Sequence, residues 1–219
     1  GLGGTLSFLS ESKSVRIKVV ILGEGITSRS NYRNTSSWEE QLINHKQDIL
    51  KAKEIIGYDE LKCYDFPDNR FDGVELLDIV KVVEKEKNEF KPDIIFTHHF
   101  GDLNIDHKIT HEAVITASRP ILGESVHSIL TFETPSSTEW QIINENNFFK
   151  PNFFFEIKDK HLEKKILAME SYRFEKREYP HPRSPKALKT LARNRGVSVG
   201  KKYVEAFAIS RTIYSKNVE

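Results

Sequence analysis

The sequence predicts an α/β fold with a Rossmann-like, mostly parallel sheet and helices on both faces. Apolar runs rich in β-branched residues alternate with longer segments whose apolar residues recur at helical spacing. This repeated order of strand, loop and helix favours a parallel sheet. A chain of 219 residues is long enough to bury the core of one such domain, so we expect a single domain over residues 1–219.

Each element follows from a local pattern. The run 15–22 is apolar and β-branched and ends at Gly23, which predicts a buried strand. Residues 38–56 carry apolar side chains at helical spacing and stop at Gly57, and residues 74–90 form an amphipathic pattern. The other predicted strands are 61–66, 93–97, 128–133 and 153–157, and the other predicted helices are 4–12, 105–118, 161–172 and 186–195.

A proline-rich segment precedes the last predicted helix. Residues 179–185 contain three prolines, which exclude regular helix and central strand and predict an extended loop. Ser184 is a suitable N-cap, and Pro185 suits the first helical position. Polar residues here, His181 and Arg183, are candidates to line a pocket.

Composition excludes several classes of protein. Lys and Arg number 33 against 32 Asp and Glu, so no basic excess points to nucleic acid as a partner. The one cysteine, Cys63, allows neither an internal disulfide nor a cysteine-based zinc module, and its apolar run predicts a core position.

No segment approaches the roughly 18 apolar residues of a membrane span, so we expect a cytoplasmic protein. Because the chain starts at Gly1 and its one methionine is Met169, we expect it to be processed or trimmed.

The densest chemistry lies in residues 96–111, just after a predicted strand. This segment contains the four histidines and two aspartates His98, His99, His107, His111, Asp102 and Asp106. Ligands of parallel sheets bind at the carboxyl ends of the strands. Imidazole and carboxylate groups are suitable ligands for a catalytic zinc or a similar divalent ion. The sequence therefore points to a metal site in this segment.

His107 and His111 are four residues apart, so a helix would place them on one face. Zinc peptidases use this spacing, but they have glutamate directly after the first histidine, where this chain has Lys108. The peptidase interpretation is therefore weak, and we expect His111 at the helix surface or in support of a ligand.

Residues 97–114, THHFGDLNIDHKITHEAV, resemble the signature of the PIG-L/LmbE metal-dependent N-deacetylases. The resemblance implies that His107 binds the metal and that Asp106 orients the neighbouring acid and base groups. Many relatives have an oxyanion-stabilising histidine where this chain has Asn104. An asparagine amide donates a hydrogen bond but no proton, so the acid for the leaving amine stays open, with His181 as a candidate.

Other segments resemble the same family. Residues 1–6 resemble the segment downstream of its H-P-D-D-E motif, which supplies two metal ligands and the general base. The resemblance implies that those residues and the first, central strand are missing from this chain, which alone should be inactive. Matches at 23–29 and 66–69 imply that Arg29 and Asp68 contact sugar hydroxyls, with Asp102 and Arg183 as further substrate contacts. Residues 195–207 resemble the family's closing elements.

The resemblance implies hydrolysis of an N-acetyl group on a GlcNAc-type sugar, with Zn²⁺ or another divalent metal as cofactor. The partner would be a small-molecule, lipid-linked or nucleotide-linked N-acetyl sugar, and a homo-oligomer is possible. One alternative is a non-catalytic domain of this fold that binds a sugar or a nucleotide. Another is a nucleotide-dependent transferase, suggested by the glycines at positions 1, 3 and 4, although these match a phosphate-binding loop poorly.

Overall fold

The computed structural model describes residues 1–142 and 144–214, which contain six α-helices and six strands. The strands are β1 (Lys18–Gly23), β2 (Glu60–Phe66), β3 (Ile94–His98), β4 (Ser128–Phe132), β5 (Phe153–Glu156) and β6 (Val204–Thr212). The helices are α1 (Gly3–Leu9), α2 (Glu39–Ile56), α3 (Leu76–Phe90), α4 (Ile105–Ala117), α5 (Asp159–Ser171) and α6 (Pro185–Val197). The predicted α/β class with parallel strands is confirmed, and every predicted element is present with shifted ends.

One strand, β6, was not predicted from the sequence. It runs antiparallel to β4, so the four-stranded sheet β3-β4-β6-β5 is mixed rather than wholly parallel. Its first four residues are buried, and its later residues are mostly exposed. A strand that is covered over only part of its length has neither a continuous apolar run nor regular alternation, which explains why it was missed.

The chain divides into two compact units. Unit one contains residues Gly1–Phe71 and Phe154–Glu205, and unit two contains Asp72–Phe153 and the chain from Ala206 onward. In unit one, β1 and β2 pair in parallel, with Lys18 opposite Glu60 and Ile21 opposite Cys63. Its helices bury one cluster made of Ile17, Ala52, Ile56, Tyr58 and Ala168, and a second made of Ile157, Leu162, Ala192 and Tyr203.

The prediction that Cys63 lies in the core is wrong, because its side chain is exposed. Side chains along β2 point alternately to the two faces of the strand. The pattern of burial along this strand leaves Lys62 and Cys63 both exposed. An apolar run thus located the strand correctly without showing how much of it is covered.

A buried carboxylate holds the first helix of unit one. Glu205 is 5% exposed, and it accepts hydrogen bonds from the backbone N–H groups of Gly4 at 3.1 Å and Thr5 at 2.6 Å. Lys165 Nζ lies 2.5 Å from the same carboxylate. Burial raises the pKa of Glu205, but the charge and hydrogen bond of Lys165 and the bonds from Thr5 outweigh burial and lower it. Glu205 therefore stays ionised and satisfies the free N–H groups that begin α1.

Unit two places the histidine-rich segment at the end of β3, the edge strand of the four-stranded sheet. β3 and β4 pair in parallel from Ile94–Ser128 to His98–Phe132. Helix α4 packs on β3 and α3, and Val114, Val126 and Ile129 form the buried cluster beneath. Phe96 and Phe207 meet edge to face with ring centroids 5.1 Å apart. The loop between β3 and α4 thus starts from a strand that is fixed on both sides of its plane.

No helix in the described residues is both long enough and apolar enough to cross a lipid bilayer.

We expect Glu205→Gln to lower the free energy of unfolding by about 3 kcal/mol at pH 7, because it leaves Lys165 without a charged partner. A lowered carboxylate pKa stabilises the fold above the unfolded-chain value of about 4.3, and this stabilisation is lost as the pH falls through the folded value. The difference between wild type and variant should therefore shrink on acidification, as measured by urea denaturation at several pH values.

Glu156→Gln is the matched control, since the Lys201–Glu156 pair has side chains that are 50% and 54% exposed. An exposed pair contributes at most about 1 kcal/mol. Equal losses in the two variants would contradict the role given to Glu205.

Candidate active site

Asn104 fixes the start of helix α4. It is the N-cap residue, and its side-chain oxygen accepts hydrogen bonds from the N–H groups of Asp106 at 2.8 Å and His107 at 3.4 Å. An asparagine at this position satisfies the first free donors of a helix. The sequence Asn-Ile-Asp-His therefore places Asp106 and His107 in the first turn of α4.

Asp102 lies at the centre of the loop between β3 and α4, with a fully buried side chain. Its Oδ1 accepts hydrogen bonds from Asn104 N at 3.0 Å, His107 Nδ1 at 3.0 Å and the Ser137 hydroxyl. Its Oδ2 accepts one from the Thr138 hydroxyl at 2.6 Å. Burial raises the pKa of Asp102, but the hydrogen bond and charge of His107, aided by both hydroxyls, hold it well below its ordinary value.

The ionised Asp102 decides how His107 carries its proton. An ionised carboxylate only accepts hydrogen bonds, so Nδ1 of His107 must be the protonated nitrogen. The other ring nitrogen, Nε2, has no hydrogen-bond partner among the described residues. Its lone pair is therefore free to bind a metal ion or to accept a proton.

His98 stacks against His107 at the end of β3. The two rings are parallel to within 3°, with centroids 3.9 Å apart. His98 Nδ1 lies 3.3 Å from the Thr134 hydroxyl. Burial, followed by the charge of His107, lowers the pKa of His98 well below its ordinary value. Two imidazolium rings would repel each other at this separation, so His98 stays neutral beside His107.

The other two histidines of the segment hold backbone in place. His99 is buried and its Nε2 donates to Asn147 O at 3.0 Å, which ties the loop to residues 144–147. His111 Nδ1 donates to His98 O at 3.0 Å. Of the four histidines that suggested a metal site, only His107 combines partial exposure with a ring nitrogen aligned by a carboxylate.

The remaining candidate residues lie in unit one. Arg29 Nη2 donates to Phe174 O at 2.8 Å and to one oxygen of Glu175, and Arg183 Nη1 donates to the other oxygen of Glu175. Asp68 accepts a hydrogen bond from Ser28 N at 3.0 Å. His181 Nδ1 accepts from Arg183 N at 3.2 Å, so its Nε2 carries the proton when the ring is neutral.

The sequence interpretation missed three residues that organise these groups. Glu175 joins the two arginines, and Ser137 and Thr138 bind Asp102. Glu175 is an acidic residue within the basic stretch 173–177, and this contrast in charge could have indicated an ion-pair partner for nearby arginines. Ser137 and Thr138 lie in a polar turn more than thirty residues beyond Asp102, so no local pattern connects them to it.

The comparison with protein families decides the identity of the chain. The family model described as PIG-L, GlcNAc-PI de-N-acetylase, matches residues 1–118, which is more than half of the chain. The chain belongs to the PIG-L family. The matched residues include Asp102, Asn104, Asp106 and His107, so the predicted resemblance is confirmed. A search of curated protein sequences finds no match.

Solved structures with the PIG-L-type fold cover nearly the whole chain. N,N'-diacetylchitobiose deacetylase from Pyrococcus horikoshii has a TM-score of 0.69 and 19% identity, over 96% of this chain and 78% of that one. The zinc-inhibited form of a teicoplanin deacetylase has a TM-score of 0.71 and 13% identity, over 97% and 94%. The 4-carboxy-2-hydroxymuconate hydratase GalB from Pseudomonas putida KT2440 has a TM-score of 0.69 and 15% identity, over 99% and 92%. At these identities the likeness establishes the fold alone.

The described residues contain no group of ligands that would complete a metal site. Across residues 1–142 and 144–214, no group of three or more His, Cys, Asp or Glu side chains could hold a metal ion. The free Nε2 of His107 suits a divalent ion, because imidazole held by a carboxylate is a common arrangement at zinc sites. The described residues thus fit one ligand of such an ion and not a complete set.

Gly101 allows the site loop to pass close to another backbone segment. A Cβ at this position would lie 2.3 Å from Asn147 O. We expect Gly101→Ala to destabilise the protein by about 1–3 kcal/mol, because the backbone at Asn147 must move and weaken the His99 hydrogen bond. Chemical denaturation measures this loss.

Gly73→Ala is the control, since a Cβ there has nothing within 4 Å. An alanine at 101 that is as harmless as one at 73 would show that the two backbone segments are not closely packed.

Proposed function

We propose that the protein hydrolyses the N-acetyl group of a sugar or sugar conjugate of the GlcNAc type in a metal-dependent reaction. Membership of the PIG-L family and the fold shared with deacetylases support a hydrolase that acts on N-acetyl groups. The observation that carries the proposal is the orientation of His107, whose Nδ1 is bound by Asp102 and whose Nε2 has no hydrogen-bond partner in the described part of the chain. Proposed partners are small-molecule, lipid-linked or nucleotide-linked N-acetyl sugars.

In this proposal His107 is a ligand of Zn²⁺ or another divalent ion. Such an ion, when bound, polarises the acetyl carbonyl and lowers the pKa of its water. The teicoplanin deacetylase with a zinc-inhibited form supports a metal-binding fold. The stacked, neutral His98 keeps the His107 ring in a fixed plane without placing a second positive charge beside it.

The other candidate residues have proposed roles around the acetyl group and the sugar. Asp106 orients neighbouring acid and base groups, and Asn104 donates to the developing oxyanion through its amide nitrogen. His181 is proposed as the acid for the leaving amine, because its Nε2 carries a proton when Nδ1 accepts from the backbone.

Arg29, Asp68 and Arg183 are proposed to contact the substrate. Each guanidinium uses one nitrogen on Glu175 and has further N–H groups for a ligand.

The structure bears differently on the two alternative functions. A non-catalytic sugar-binding or nucleotide-binding domain is favoured by one observation, that the described residues contain no three-ligand group. A nucleotide-dependent transferase is disfavoured. Its glycines at positions 1, 3 and 4 would have to present backbone N–H groups to phosphate, yet those of Gly4 and Thr5 donate to Glu205.

We also retain three proposals about the whole protein: one structural domain over residues 1–219, a cytoplasmic location and a homo-oligomeric state. Limited proteolysis, cell fractionation and size-exclusion chromatography with light scattering address them separately.

The function is tested with protein expressed from its native reading frame. We expect release of acetate from N-acetylglucosamine derivatives, inhibition by a chelator and recovery with Zn²⁺. His107→Ala should lower the rate more than about 100-fold, since even the supporting partners of metal ligands contribute 10–100-fold.

His127→Ala is the matched control, because this histidine is exposed and only its backbone forms hydrogen bonds among the described residues. A metal-free, hydrolytically silent protein that still binds the sugar would support the binding domain instead. Equal activity of the two variants would remove His107 from the mechanism.

A further inference from the structure

The loop after β4 supplies half of the hydrogen bonds that hold the Asp102 side chain. The Ser137 hydroxyl donates to Oδ1, and the Thr138 hydroxyl donates to Oδ2 at 2.6 Å. The backbone N–H of Asn104 and Nδ1 of His107 provide the other two, both to Oδ1. Donors on both oxygens prevent the carboxylate from rotating away from His107.

The turn that carries these hydroxyls is itself fixed. Thr134 N donates to the Thr138 hydroxyl oxygen at 2.7 Å, so the hydroxyl proton of Thr138 is directed to Asp102. Glu139 accepts from Ser136 N at 2.7 Å and from Ser137 N at 3.2 Å. The Ser137 oxygen also accepts from Asn104 N at 3.3 Å, which joins this turn to the start of α4.

We propose that Asp102, Ser137 and Thr138 are positioning residues that select the Nδ1–H tautomer of His107 and leave Nε2 unprotonated. Asp102 has no exposed surface with which to contact a substrate, and both of its oxygens are used by protein donors. The use of Nε2 as a metal ligand rests on the proposed function. The tautomer itself does not, because it follows from hydrogen bonds within unit two.

A purely structural role makes a different prediction. If the hydroxyls only satisfied a buried carboxylate, their removal would lower stability and leave the proton of His107 on the same nitrogen. Proton location is therefore the measurement that separates the two roles. Long-range ¹H–¹⁵N correlation spectra of the metal-free, ¹⁵N-histidine-labelled 219-residue chain report it directly, at alkaline pH where imidazole is neutral.

In the wild-type chain we expect His107 to carry its proton on Nδ1 in at least about nine-tenths of the molecules, which is a preference of about ninefold over Nε2. In Asp102→Asn this preference should disappear, because the asparagine amide can donate to the ring as well as accept from it. The double variant Ser137→Ala, Thr138→Val should lose most of the preference, since the carboxylate is then free to turn.

Two further variants serve as controls. Thr138→Ser, made with Ser137 unchanged, keeps a hydroxyl at position 138 and should therefore give the wild-type spectrum. Ser136→Ala removes a neighbouring hydroxyl that forms no hydrogen bond to the described residues and should change nothing. Far-UV circular dichroism is used to check that each variant is folded. If the double variant does not fold, the single variant Thr138→Val is measured in its place.

A wild-type chain with the proton on Nε2 would overturn the proposal. An unchanged tautomer in folded hydroxyl variants would overturn the part given to Ser137 and Thr138. The result is distinguishable from a failure of the deacetylase proposal, because no metal or substrate enters the measurement. In native protein that binds Zn²⁺, the Asp102→Asn variant should bind it about 10–100-fold more weakly.

Discussion

The arrangement of the site depends on one buried charge, the carboxylate of Asp102. A charge without exposed surface is tolerated only if hydrogen bonds replace its lost water, and here they come from three separate parts of the chain. The loop after β3, the first turn of α4 and the turn after β4 must therefore meet at one point. This requirement fixes the two loops against the start of α4 and orients the ring of His107.

Unit one also contains a buried carboxylate that organises the residues around it. Glu205 is also a buried carboxylate, and it fixes the start of α1 by accepting from its first N–H groups while Lys165 balances its charge. Both carboxylates have pKa values lowered by their partners in spite of burial. In each case the ion is the organising element, because removing it would leave several donors without an acceptor in an apolar setting.

The sequence predicted the elements well because their signals are local. Apolar periodicity located α2 and α3, Gly57 ended a helix, and Ser184 with Pro185 began α6 as expected. It failed where the outcome depends on distant neighbours: the pairing of β6, the exposure of Cys63 and the partners of Asp102. The predicted helix 105–118 placed His107 correctly in the first turn of α4, and an asparagine directly before a helix is a local N-cap signal, although the sequence analysis considered Asn104 only as a hydrogen-bond donor.

The four histidines show why residue density is a poor measure of metal binding. His98 stacks, His99 joins two loops and His111 holds the end of a strand, whereas His107 is the one of the four whose ring is aligned by a carboxylate. A fold that includes deacetylases and a hydratase does not by itself determine the chemistry, which depends on the side chains that each chain places on it. In this chain the family is established by the match over residues 1–118, and the orientation of His107 is fixed by its hydrogen bond to Asp102.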